Sequence, residues 1–241
     1  MSPDSPRPAI SAQPISAAPI APDTQRASIA IFDVDRTLLT GSSVAALARV
    51  MVRAKILRPR TLVGAAIREL VYKRFGSSDS GVEQLRSRAL ATIAGLEVRD
   101  LRRLAEEVAA DLELRTRPSV RAMLDRHLDK GDFVVLLSAA PQELVEALAR
   151  SVGAHRAIGT RAAISDGRYT GELEGTFCYG SGKLVRLAEA VGDVDLSSGT
   201  AYADSASDMA VLLAVGSPMV VSPDGELRRI AIRHGWPVIM K

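Results

Sequence analysis

Short apolar runs, each giving way to a polar residue and then to a helix-period stretch, constrain this chain more than any other feature. The clearest is Ile29-Ala30-Ile31-Phe32, which runs into Asp33-Val34-Asp35-Arg36-Thr37-Leu38-Leu39. Similar runs fall at 133–138, 155–160, 200–203 and 218–222, and 234–240 offers a last short strand. Helical patterns follow near 118–130, 141–152, 182–192, 205–214 and 224–234. This alternation predicts an α/β fold, a doubly wound parallel sheet with helices on both faces. In such a sheet ligands bind outside the carboxyl ends of the strands, which is where the polar residues fall.

Four polar signals occupy those ends. Asp33 and Asp35, one residue apart, repel each other unless a cation or a shared proton relieves them, and so ask for Mg2+ and a phosphorylated substrate. Taken alone, acidic residues in a turn after a strand are equally well read as turn formers. Ser138 follows Phe133-Val134-Val135-Leu136-Leu137 and precedes a helix start at Pro141, where a Ser can simply cap a turn. Gly180-Ser181-Gly182-Lys183 opens a helix with a Lys in its first turn. That Lys opposes the macrodipole and calls for an anion, unless it is a solvated surface residue. Thr200-Ala201-Tyr202-Ala203 leads to Asp204 and Asp208, four residues apart. One of them, or Ser205, could cap the next helix, but two acids opposite another carboxylate pair read better as a metal site.

In this order the motifs resemble the haloacid dehalogenase superfamily of phosphatases and phosphotransferases. The long insert after the first motif and Phe177-Cys178-Tyr179-Gly180-Ser181-Gly182-Lys183 are similar to its subfamily IB, the phosphoserine-phosphatase-like branch. The resemblance spans about residues 28–240 and implies a Rossmann-like core with an inserted α-helical cap. It implies that Asp33 is the nucleophile, forming an aspartyl-phosphate, and that Asp35 is the general acid and base. Ser138, Lys183 and Thr37 would form the phosphate-binding group, the first two on the phosphoryl oxygens and Thr37 fixing the nucleophile loop. Mg2+ would be held by Asp33, the backbone carbonyl of Asp35 and Asp204, with Asp208 supporting that shell.

Two residues depart from the family pattern. Arg36 stands where many members have Gly, so the turn must accommodate a Cβ. Ser42 stands nine residues after Asp33, where typical phosphoserine phosphatases carry a Glu that pairs with the substrate ammonium. A Ser supplies no such charge, which argues against phosphoserine as substrate. The expected activity is therefore a Mg2+-dependent phosphomonoesterase acting on a small or lipid phosphate. Phosphoserine phosphatase, phosphoryl transfer to another alcohol, and a regulatory protein that only binds a phosphorylated ligand are the alternatives.

Residues 1–27, with Pro3, Pro6, Pro8, Pro14, Pro19 and Pro22, read as a disordered tail without a signal peptide. Residues 28–40 and 118–241 read as the catalytic core. Residues 41–117 hold helix-period stretches, such as Val98 to Leu114, and no strand; they read as the helical cap that selects the substrate. Ala162 to Leu173, centred on Asp166-Gly167, reads as a β-hairpin. A single cysteine, Cys178, excludes an internal disulfide and fits a cytoplasmic protein, and three scattered histidines leave no zinc constellation. Between Arg49 and Arg74 eight basic residues face one acid, Glu69, in a chain of net charge +3. That amphipathic stretch reads as an Arg-rich solvated face, or as a peripheral contact with an anionic membrane or substrate. No motif or aromatic platform accompanies the charge, so nucleic acid is not an expected partner.

Overall fold

The computed structural model describes residues 28–57, 79–192 and 194–240. The tail at 1–27 and most of the basic stretch, from Arg58 to Arg74, lie outside the described residues. In chain order the elements are β1 (Ile29–Asp33), α1 (Ser43–Arg53), α2 (Asp79–Ile93), α3 (Val98–Glu113), α4 (Pro118–Asp129) and β2 (Phe133–Pro141). They continue with α5 (Gln142–Val152), β3 (Arg156–Thr160), β4 (Ala162–Ser165), β5 (Arg168–Leu173) and α6 (Ser181–Val191). The last are β6 (Thr200–Ala203), α7 (Met209–Ala214), β7 (Ser217–Val221), α8 (Gly225–His234) and β8 (Val238–Ile239).

Among the described residues six strands form one parallel sheet in the order β3-β2-β1-β6-β7-β8. The chain winds outward from β1 through β2 to β3, then returns to β6 on the other side of β1. The winding direction therefore reverses at β1 and β6, the place where open α/β sheets bind their ligands. Because successive side chains alternate, β1 feeds both faces. Ala30 and Phe32 pack with α1, α3, α4 and α5, whereas Ile29 and Ile31 pack with α6, α7 and α8. Every residue of β1 is buried, which explains why it reads as a continuous apolar run and not as alternation. Phe32 stacks on Tyr202 at 4.4 Å, and the Tyr202 hydroxyl meets His127 Nε2 at 2.9 Å, filling the first face beneath the site.

Residues 41–117 contribute α1, α2 and α3 and no strand among the described residues. Leu101, Leu104, Val108 and Leu112 of α3 belong to the same apolar cluster as Phe32, through contact with α5 and α1. The two crossings to and from this segment are bridged antiparallel at Leu39 and Thr116. The hairpin β4–β5 forms as its turn sequence predicts. Asp166 and Gly167 both take positive φ, 49° and 75°, the requirement of a two-residue turn matched to strand twist. It docks on the α2–α3 junction through Gly95 N to Tyr169 O and Val98 N to Gly167 O. Helix boundaries shift slightly from expectation. Pro141 ends β2 and precedes α5, and a 3-10 turn at Ala206–Asp208 leads into α7. Among the described residues no helix is long and apolar enough to cross a membrane.

Candidate active site

Strand register brings the first, second and fourth motifs to one level. Asp33 lies beside Leu137, so Ser138 is one step beyond it on β2. Phe32 lies beside Tyr202, which puts Asp204 just past the neighbouring end of β6. Asp33 is 8% exposed, Ser138 2%, Lys183 3%, Asp204 5% and Asp208 4%. Burial of so many polar groups demands that they satisfy one another.

Lys183, in the first turn of α6, does most of this. Its Nζ donates to Asp33 Oδ1 at 2.6 Å and also contacts Asp208 Oδ1. Burial alone would favour its neutral form, but Asp208 and Asp33 outweigh that and raise its pKa, so the ammonium is held charged. Asp33, Asp204 and Asp208 each present an oxygen within 4.8 Å of the others. Burial pushes Asp204 up to about 7, with Asp33 adding to the effect and Arg36 opposing it. Asp208 is also raised, again chiefly by burial. Three buried carboxylates against the Lys183 ammonium and the Arg36 guanidinium, when all are ionised, still lack one positive charge. The donor set is all oxygen, without His or Cys, and fits Mg2+.

The turn after β1 is shaped by its own polar groups. Leu39 N returns to Val34 O at 2.9 Å, closing a wide single turn. Arg36 takes φ 65°, ψ −7°, a left-handed conformation costing a residue with a Cβ about 1–2 kcal/mol. It is held there by Arg36 N to Gly41 O at 3.1 Å and by Arg117 Nε to Arg36 O at 3.1 Å. The Arg36 side chain then reaches Asp204, Nε to Oδ2, at 3.1 Å. Asp35 turns the other way, and its Oδ1 accepts from Ser43 N at 2.8 Å, at the start of α1. Burial raises the Asp35 pKa above the ordinary carboxylate value, against the pull of the Ser43 bonds. Thr37 is fully buried, its hydroxyl 3.4 Å from Asp204 Oδ1. Ser138 Oγ accepts from Ala140 N at 3.2 Å, curling the end of β2 into a turn.

Every residue singled out from the sequence therefore falls in one region, with distinct placements. Asp33, Lys183, Asp204, Asp208 and Thr37 interlock directly, whereas Asp35 and Ser138 flank them. Asp208 lies in the same carboxylate group as Asp33 and Asp204, its Oδ1 against Lys183 Nζ. The Arg36–Asp204 ion pair was not foreseen; its only signal was a cation where Gly is common. Ser42 caps α1, accepting from Ala45 N at 3.3 Å.

Known proteins resemble this chain in sequence and in fold. The haloacid dehalogenase-like hydrolase family profile matches residues 30–213. A Mycobacterium tuberculosis protein named phosphoserine phosphatase SerB1 is 34% identical over 90% of this chain and 72% of its own length. A probable phosphatase of the same organism is 32% identical over 87% of this chain and 74% of its own. Among solved structures, a Bordetella pertussis protein of unknown function has a TM-score of 0.77 at 28% identity, covering 89% of this chain and 99% of that one. A phospho-aspartyl intermediate analogue of phosphoserine phosphatase shares the fold at a TM-score of 0.56 and 17% identity, over 87% and 99% of the two chains. The chain belongs to the haloacid dehalogenase-like hydrolases.

Proposed function

We propose that this hydrolase cleaves a phosphomonoester through an aspartyl-phosphate on Asp33, and that it does so with Mg2+. The observation that carries the reading is the buried Asp33, held through one oxygen by Lys183 and accompanied by Asp35, whose carboxylate turns away to Ser43 N. Lys183 fixes Oδ1 and so aims the other oxygen at phosphorus. As the Asp33–phosphorus bond forms, the bond to the leaving oxygen breaks, and Asp35 delivers its proton there. The resulting Asp35 carboxylate then takes a proton from water, whose oxygen attacks phosphorus and displaces the Asp33 carboxylate. Ser138 and Lys183 bind the phosphoryl oxygens while charge spreads over them. Thr37 holds Asp204, and with it the nucleophile loop. Asp33, the Asp35 carbonyl and Asp204 would hold Mg2+, with Asp208 supporting; the ion would screen repulsion between carboxylate and phosphate dianion. A protein that only binds phosphate has no use for a separate acid and base, so the enzyme reading is the stronger one.

The substrate is a small or lipid phosphomonoester without an α-amino group. Ser42 caps a helix and supplies no carboxylate for an ammonium. Relatives carry names as different as phosphoserine phosphatase and, at 28% identity, histidinol-phosphatase of Neisseria meningitidis, so kinship does not fix the substrate. Residues 41–117 form the substrate-selecting cap in this reading, and the protein works in the cytoplasm. The test is phosphate release from a panel of phosphomonoesters, including phosphoserine and lysophosphatidic acid, with and without Mg2+. Release that depends on Mg2+ supports the proposal; no release from any member, or equal release with EDTA, refutes it.

A further inference from the structure

The end of β2 departs from its ladder at the place where Ser138 sits. Pairing with β3 runs Val135 to Arg156, Leu136 to Ala157 and Leu137 to Ile158, then resumes only at Pro141 and Thr160. Ser138, Ala139 and Ala140 on β2 thus face the single residue Gly159 on β3. Such a bulge re-aims a side chain, but it also removes ladder hydrogen bonds from the neighbouring strand.

Two side chains replace them. The Gln142 amide acts as a surrogate peptide, with Nε2 donating to Ala157 O at 3.0 Å and Oε1 accepting from Gly159 N at 2.7 Å. Thr160 Oγ1 donates to Ala139 O at 2.8 Å, the carbonyl immediately after Ser138. The bulge lies so close to β3 that a Cβ on Gly159 would come within 2.8 Å of Ala140 O and of Gln142 Cα. The turn is therefore clamped from its far side, by groups that do not themselves belong to the carboxylate cluster.

We infer that Gln142 and Thr160 are positioning residues for phosphoryl binding, holding the Ser138–Ala140 turn at the height where the Ser138 hydroxyl meets the substrate. The inference rests on the reading of Ser138 as a phosphoryl ligand. Thr160 donates to the backbone of the turn, so its loss frees the turn to move, and a displacement near 1 Å costs up to about a hundredfold in rate.

The experiment uses the full chain with saturating Mg2+, p-nitrophenyl phosphate as substrate and inorganic phosphate as competing product. Thr160→Val keeps the shape and removes the hydroxyl, while Thr160→Ser keeps the hydroxyl. Thr160→Val should lower kcat/KM roughly tenfold and weaken inhibition by inorganic phosphate, at temperatures well below its Tm; Thr160→Ser should stay near wild type. Gln142→Met, which removes the bonds to Ala157 O, Gly159 N and Glu146 Oε1 without adding a charge, should likewise lower kcat/KM and weaken phosphate inhibition, a second and independent reading. A Thr160→Val protein with wild-type kcat/KM and phosphate inhibition overturns the inference, as does a Thr160→Ser protein equally impaired. Ser138→Ala separates the two levels. If it leaves phosphate inhibition unchanged, the role of Ser138 and the inference fall together. If it weakens inhibition while the Thr160 and Gln142 variants do not, the inference alone falls.

Discussion

Replacing Lys183 by Met tests how far this site depends on one buried cation. The Lys183 side chain is 4% exposed and lies between the side chains of Asp33 and Asp208, themselves 10% and 5% exposed. Removing one partner of a buried ion pair costs about 3–5 kcal/mol, because the remaining charge has neither water nor counter-ion. For a chain of this size each kcal/mol lowers Tm by roughly 2–4 °C, so a fall of about 10 °C is expected in metal-free buffer at neutral pH. The loss should shrink as pH falls, since protonated carboxyls need no counter-ion, and added Mg2+ should restore part of it. Thermal denaturation of wild type and Lys183→Met between pH 5 and pH 8, with EDTA or Mg2+, measures all three effects. A variant that melts within 2 °C of wild type at neutral pH, with no dependence on pH, would refute the reasoning.

Further outcomes follow from the same geometry. Asp204, raised to about 7 from an ordinary 3.8, holds a proton in the folded state that the unfolded chain releases. Its contribution therefore makes metal-free stability fall as pH rises from about 4 to about 7, by the sign of proton linkage. Mg2+ must displace that proton, so calorimetric Mg2+ affinity should climb by up to about tenfold per pH unit below 7 and level off above it. Asp35→Asn should cripple hydrolysis of alkyl phosphates far more than of nitrophenyl phosphate, whose leaving group needs no proton; equal losses would remove the acid role. Phosphoserine should be surpassed in kcat/KM, by roughly two orders of magnitude, by a phosphomonoester lacking the α-amino group. Finding phosphoserine the best of the panel would show that another carboxylate replaces the one absent at Ser42.

The sheet and its carboxyl-end residues were legible because period and position say the same thing there. Ile29 to Phe32 cannot be buried on both faces without a covered parallel sheet, and the strand then delivers Asp33 to its ligand-binding edge. The hairpin was equally legible, since Asp166-Gly167 satisfies a turn that needs two positive φ angles. What stayed hidden depends on side-chain direction. Nothing in the spacing of Asp204 and Asp208 tells which cation each meets, Arg36 for the first and Lys183 for the second. The Arg36–Asp204 contact requires a left-handed residue in the turn, a conformation the sequence permits but does not announce. Gln142 and Thr160 were invisible because their partners are backbone groups freed by a bulge, and a bulge has no sequence signature here. Helical periodicity revealed the apolar face of α3 but not that α5 would cover it.

The central claim is that Asp33, and not Asp35, becomes covalently phosphorylated. Turnover of a good substrate with Mg2+, quenched in acid and reduced with borohydride, converts a phosphorylated aspartate into homoserine at that position. The tryptic peptide spanning residues 27–36 contains both acids, so fragmentation by mass spectrometry distinguishes them. Reduction confined to position 33, and absent in Asp33→Asn, is the predicted result. Reduction at position 35, or steady turnover with the peptide unmodified, would contradict it.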